Sequence, residues 1–125
     1  MKQLVVLNAG LSNPSSTRLL SEQLAAAVSA QVSKRGEGLE TQIININEYT
    51  SDLAAVFTTG VYSKRLQATM EQISAADGLI AATPVFSASY SGVFKLFMDV
   101  LDPKSLLGMP VLIAATAGSP RHSLV

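Results

Sequence analysis

The sequence predicts an α/β protein: a doubly wound parallel sheet with helices on both faces, in three α/β/α layers. Three observations carry that prediction. Four short apolar runs alternate with amphipathic segments in the order β-α-β-α-β-α-β. The runs lack the in–out alternation of a half-exposed strand, as strands covered on both faces do. The links between them are mostly short and rich in small residues, which suits right-handed crossovers in a parallel sheet.

The first run, KQLVVLN at 2–8, has the β-branched content of a buried strand. Residues 16 to about 34 then place Leu20, Leu24, Ala27, Val28 and Val32 at helical spacing, and Gly36 and Gly38 end the helix. LETQIININ at 39–47 is the second strand by its Ile and Thr content. Leu66, Met70 and Ile73 mark a helix over 64–76, and GLIAATP at 78–84 is a third buried strand, stopped by Pro84. Val93, Leu96, Phe97, Val100 and Leu101 form a third apolar helical face, and PVLIAATAG at 110–118 is the fourth strand. The link at 47–63 is long and without clear periodicity. It reads either as a functional or mobile loop, or as an irregular helix packing Leu53, Val56 and Phe57.

Composition narrows the function. With 125 residues, 48% of them hydrophobic and 14% charged, the chain makes one domain with a real core. Nine basic and nine acidic residues balance, so neither nucleic acid nor an anionic membrane is an expected partner, since both need a basic face. No apolar run approaches a membrane span, and the amino terminus goes directly into a strand without a signal pattern. The expected location is cytoplasmic. With no cysteine there is no disulfide, zinc knuckle or thiol nucleophile to consider.

Ligands on such sheets sit outside the carboxyl ends of the strands, at the point where strand order reverses. The loop after the first strand carries the hydroxyls of Ser12, Ser15, Ser16 and Thr17, followed by Arg18. Placed against a helix amino terminus, those neutral donors and one guanidinium suit an anion. There is no lysine for a Walker loop, which argues against a nucleoside triphosphatase. Only Gly10 stands where a dinucleotide fingerprint has three glycines, and Asn45 and Asn47 precede Glu48 at the second strand's end, which argues against a Rossmann site. A terminal monophosphate fits better. Helix capping alone explains one hydroxyl but not four. The other strand ends are TPVFSASYSGVFK at 83–95, with Phe86 and Tyr90 as flat surfaces, and TAGSPRH at 116–122, small and glycine-bearing. Together the three loops predict one crevice.

GLSNPSSTR, TPVFSASYSGVFKLFMD and TAGSPRHSL, taken together, resemble the NADPH-dependent FMN reductase family of flavodoxin-like proteins, along essentially the whole chain. The resemblance implies a single FMN-binding domain over 1–125, with hydride passing from NADPH or NADH to FMN and a flavin-dependent monooxygenase as one consumer of reduced flavin. It assigns Ser12, Ser16, Thr17 and Arg18 to the FMN phosphate. Pro84, Val85, Phe86 and Ser87 fall to the isoalloxazine and ribityl region, and Thr116, Ala117 and Gly118 to the far side of the ring. Family members usually have a fifth strand and closing helices, so four of five strands and an incomplete carboxyl-terminal end are expected here. Self-association as a homo-oligomer would then cover the open fourth strand. A flavodoxin-like electron carrier and an inactive amino-terminal fragment are the alternatives, and the balanced charge counts against an acidic carrier.

No separate catalytic residue is expected, because the cofactor carries hydride chemistry. His122, the sole histidine, stands at a helix start where exposed or capping roles prevail. Asp99 and Asp102 read as a solvated face, and Asp77 as a turn into the third strand. Lys64 and Arg65 read as surface charge, with contact to a dinucleotide phosphate as the less favoured role. Phe94 is divided between core packing and an oligomer contact.

Overall fold

The opening apolar run becomes a strand because both of its faces can be buried. In the computed structural model, which describes residues 1–11 and 15–118, it forms β1 (Lys2–Asn8), buried from Leu4 onward. There follow α1 (Ser16–Lys34), β2 (Leu39–Asn45), a 3₁₀ turn (Ile46–Tyr49), α2 (Thr50–Thr59) and α3 (Lys64–Ser74). β3 (Gly78–Phe86), β4 (Ser89–Tyr90), α4 (Gly92–Val100) and β5 (Val111–Thr116) complete the described elements.

Four strands are parallel in the order β2-β1-β3-β5, and β4 adds a short antiparallel ribbon at the end of β3. Strand order reverses at β1 and β3, so their carboxyl ends open a crevice. Alternation along β1 sorts the core into two layers. Leu4, Val6 and Ile80 meet Ala25 of α1 on one face. Val5, Leu7 and Leu79 meet Leu53, Leu66, Ile73 and Phe97, from α2, α3 and α4, on the other. Phe97 is fully buried and its ring meets Tyr49 edge-on at 6.5 Å. Burial of such a side chain contributes about 1.5–3 kcal/mol. At the sheet's lower edge, Asp77 turns the chain into β3 as expected, its carboxylate accepting from Gln3 N at 2.8 Å.

The structure refines the sequence reading in four places. β2 stops at Asn45 rather than residue 47, because the chain tightens into the 3₁₀ turn. The long link contains α2, which buries Leu53, half-buries Val56 and leaves Phe57 exposed, so the helical reading of that segment holds. Pro84 does not end β3. Ala9 N donates to Ala82 O, and β1 pairing ends there; residue 84 presents its missing N–H to the side β1 has vacated. The strand continues to Phe86 and turns back through β4. Finally, α1 buries Thr17, Ser21 and Ala25, a line of small residues, most deeply, while Leu24 and Val28 of its Leu/Val stripe pack half-buried against the same core. Leu24, Val28 and Val32 also flank an apolar hollow of ≈370 Å³ that reaches Leu112 of β5.

β5 is the least covered strand. Val111, Leu112 and Ile113 are 41%, 45% and 74% exposed, which leaves apolar surface on both faces of the sheet. Among the described residues no strand pairs with its outer edge.

Candidate functional site

Asn8 ends β1 with its side chain buried, and its Oδ1 accepts from Gly10 N at 3.1 Å, a local turn that lifts the chain away from the sheet. Gly10 is required there. A Cβ at this position would stand 1.9 Å from Ser15 Oγ and 3.2 Å from Asn8 Oδ1. Ser15, in an extended conformation, caps α1 by accepting from Arg18 N at 3.1 Å. Capping thus occupies one hydroxyl of the cluster. Thr17 is buried at 2% exposure, and its Oγ1 lies 2.7 Å from Oγ1 of Thr116 at the end of β5. This pair of hydroxyls ties the first loop to the last strand, and either can donate.

Between them lies the β3–β4 hairpin. Val85 pairs with Tyr90 and Phe86 with Ser89, so Ser87 and Ala88 form a two-residue turn. Both have positive φ, 48° and 61°, the signature of a type I′ turn normally built from Asn and Gly. The hairpin returns into α4 through Ser91, whose N–H donates to the buried Thr83 Oγ1 at 3.1 Å and whose Oγ accepts from Phe94 N at 3.2 Å. Thr83 and Ser91 thereby lock β3 to the start of α4. Phe94, divided between two readings above, packs partly against the core and against Tyr90, with ring centroids 6.1 Å apart.

The three loops meet in one cleft of ≈340 Å³, lined by residues of all three. Ser16 and Thr17 contribute from the first loop, Pro84, Val85 and Phe86 from β3, and Thr116, Ala117 and Gly118 from β5. Eight of the site residues expected from sequence are therefore gathered in one place. Ser87 belongs to the turn above the cleft and does not line it. Ser12 lies outside the described residues, as do His122 and Ser119. Arg18 goes elsewhere: its Nε pairs with Glu22 at 3.0 Å, and it lines a second, polar hollow of ≈530 Å³ at the ends of β1 and β2. Gly10, Leu11 and Ser15 also line the cleft. The sequence reading gave Gly10 and Leu11 no place in the site and put Ser15 only among the anion-binding hydroxyls. The Asn-Ala-Gly turn and the serine just before a helix start were the signals for Gly10 and for Ser15's cap.

Lys64 and Arg65 separate in role. Arg65 donates to the carbonyl of Glu48, pairs with Asp52 at 3.1 Å and stands over the Tyr49 ring at 4.2 Å. It fastens the 3₁₀ turn to α2 and α3. The Ser63 hydroxyl, 2.5 Å from Asp52, and then Arg65 hold that carboxyl below its ordinary value of 3.8, against the opposing effect of its burial. Among the described residues no group of three or more His, Asp or Glu could hold a metal, and no helix is long and apolar enough to cross a membrane.

Comparison with known proteins agrees with this geometry. The family model of the NADPH-dependent FMN reductases matches residues 1–125. The chain is 37% identical over 123 residues to an NADH-dependent FMN reductase, SfnF, of Pseudomonas putida, covering 98% of this chain and 64% of that protein. It is 32% identical over the same length to an FMN reductase (NADPH) of Pseudomonas aeruginosa, covering 98% and 63%. An oxidoreductase of Corynebacterium diphtheriae superposes with a TM-score of 0.96 at 52% identity, covering all of this chain and 69% of that one. The apo form of the NADH:FMN oxidoreductase EmoB gives 0.83 at 30% identity, covering 99% and 63%. The chain thus spans somewhat under two thirds of the length of the curated relatives it matches.

Proposed function

The chain belongs to the NADPH-dependent FMN reductase family, and from that premise we propose that its cleft binds FMN for reduction by NADH or NADPH. The observation that carries the reading is the convergence of three strand-end loops on one cleft, closed at its base by the Thr17–Thr116 hydroxyl pair. The residues fit a flavin monophosphate. Gly10 admits the close approach of Ser15, and Ser16 with Thr17 stands at the amino terminus of a 19-residue helix, where free N–H groups and the dipole favour an anion. Thr116, Ala117 and Gly118 are small enough to let a flat ring lie against backbone, and the half-exposed Phe86 flanks it. Bound there, the flavin supplies the hydride chemistry itself. The protein's own part is to hold the phosphate, orient the ring between β3 and β5, and leave one ring face open to the nicotinamide.

Three further elements belong to the same proposal. A cytoplasmic location and a flavin-dependent monooxygenase as consumer of reduced flavin rest on family membership. A homo-oligomer rests on the exposed apolar residues of β5; a single monomeric species in sedimentation at assay concentration would remove it.

The test is titration of FMN into the protein, followed by flavin absorbance and fluorescence, then NADH and NADPH oxidation. Thr17→Ala should weaken FMN by about 1–3 kcal/mol if its hydroxyl bonds the phosphate. Unchanged affinity in Thr17→Ala and Thr116→Ala would place the flavin elsewhere.

A further inference from the structure

β5 has the composition of an interior strand and the position of an edge. Its six residues VLIAAT hold no charge, proline or glycine, and they pair with β3 without a bulge from Val111 to Thr116. Natural sheets blunt an open edge with charge, proline or a bulge, because its free N–H and C=O groups pair readily with another strand. β2, at the opposite edge of the parallel sheet, exposes Glu40, Thr41 and Gln42. β5 exposes apolar side chains instead, and among the described residues nothing pairs with its outer edge.

We propose that this edge is filled by β5 of a second copy of the chain, paired antiparallel about a two-fold axis through Ile113. The inference rests on the homo-oligomer proposed above and deepens it by naming the surface, the symmetry and the register. Uncharged strands meet without like-charge opposition. The contact consumes the same edge on both copies, so it closes as a dimer and does not grow into a filament.

The register follows from the pleat, since successive side chains of a strand point to opposite faces. Leu112 faces α1, where it lines the hollow beside Leu24 and Val28. Thr116 faces α1 as well, through its contact with Thr17. Val111, Ile113 and Ala115 therefore face the other way. Directly opposed residues of an antiparallel pair share a face, and a two-fold axis perpendicular to the sheet keeps each face on its own side. The axis must then pass through a residue and not between two. Centred on Ile113, the pairing sets Val111 against Ala115 of the partner subunit, Leu112 against the partner's Ala114, and Ile113 against the partner's Ile113. Centring on Leu112 would overlap only residues 111–113, and centring on Ala114 would leave Val111 unopposed within the strand. Because β5 ends in Thr116, whose hydroxyl meets Thr17, the same pairing steadies one wall of the candidate flavin cleft.

Sedimentation across a range of protein concentrations tests this with wild type, Ile113→Lys and Thr41→Lys, both substitutions at exposed positions, with melting curves as a folding control. The wild type should form a dimer. Ile113→Lys opposes two ammonium groups at the axis and should raise the dimer dissociation constant at least about tenfold, while Thr41→Lys on β2 leaves it unchanged. The chain holds no cysteine, so Ile113→Cys gives a readout that a folding defect cannot imitate. Cβ atoms of directly opposed residues approach the separation a disulfide spans, and the oxidised variant should cross-link as a dimer where Thr41→Cys does not. A dimer lost in Ile113→Lys but not cross-linked in Ile113→Cys overturns the register. A dimer that both substitutions leave untouched overturns the β5 pairing and assigns the homo-oligomer to another face. A wild type that stays monomeric at every concentration removes the homo-oligomer and this proposal together.

Discussion

Replacing Ala88 with glycine should stabilise the protein, although the same replacement in a helix would weaken it. Ala88 sits at φ 61° in the β3–β4 turn, beside Ser87 at 48°. An L-residue with a Cβ loses roughly 1–2 kcal/mol in the left-handed region. Glycine removes that strain but loses about 0.4–1 kcal/mol through its freer unfolded chain. The net expectation is a gain of about 0.5–1 kcal/mol, or a rise of about 2–4 °C in Tm for a chain of this size. The control is Ala26→Gly on the exposed side of α1, where no positive φ exists and the loss should be about 1 kcal/mol. Urea and thermal melts followed by circular dichroism read both. If Ala88→Gly lowers the midpoint as Ala26→Gly does, the turn is not strained as its backbone angles say, and this account of the hairpin is wrong. If Ala88→Gly stabilises the fold but loosens FMN, the strain is what sets Phe86 at the cleft.

Four other outcomes are expected. Gly10→Ala forces Ser15 Oγ out of its cap, so a urea melt should show a loss of about 1 kcal/mol, and titration should show weaker FMN binding. Ser91→Ala removes the α4 cap and one long hydroxyl contact of buried Thr83, which keeps its bonds to Ser91 N and the Pro84 carbonyl; a denaturant midpoint equal to wild type would contradict the expected loss of about 1 kcal/mol. Asp52 has a folded-state pKa below 3.8, so the unfolded chain takes up its proton first. Its stabilisation is therefore complete above pH ~4 and disappears as pH falls through the folded-state value; an Asp52→Asn melt series that keeps the wild-type slope below pH ~4 would refute this. Saturating FMN, at about 100 times its Kd, should add about 2.7 kcal/mol to stability and slow amide exchange in β5, whose end carries Thr116; exchange unchanged there would separate β5 from the site.

The fold was legible wherever burial and periodicity coincide. β1 and the parallel strands follow from continuous apolar runs, and α3 and α4 from their stripes. Reading failed where tertiary contact overrode local pattern. α1 buries Thr17, Ser21 and Ala25 more deeply than the Leu24 and Val28 that also pack there, because small residues let the helix lie close to the sheet, a distance that hydropathy does not encode. α2 was ambiguous because its buried surface comes down to Leu53 with Val56 beside it. Pro84 misled because its cost depends on which neighbour its nitrogen faces. In the site, residue type told which loops converge but not which side of a loop a side chain takes. Arg18 pairs with Glu22 and lines the hollow beside the cleft rather than the cleft itself, a difference of side that its position next to Thr17 in the sequence does not reveal.

That displacement has a physical consequence for how the loop handles an anion. A guanidinium inside the cleft would lie close to the flavin ring as well as to the phosphate, and in a site partly shielded from water its charge would act strongly on both. With Arg18 outside, the described cleft is lined by hydroxyls and apolar groups, and a phosphate placed there would be met by those hydroxyls, backbone N–H groups and the dipole of α1. Asn8, Gly10 and Ser15 hold the described part of that loop, and Thr116 holds the Thr17 hydroxyl, so little ordering would remain to be done on binding. Arg18 would then act on a phosphate only from beside the cleft, where Glu22 partly neutralises it. Such an arrangement holds a monophosphate by geometry rather than by a buried charge pair.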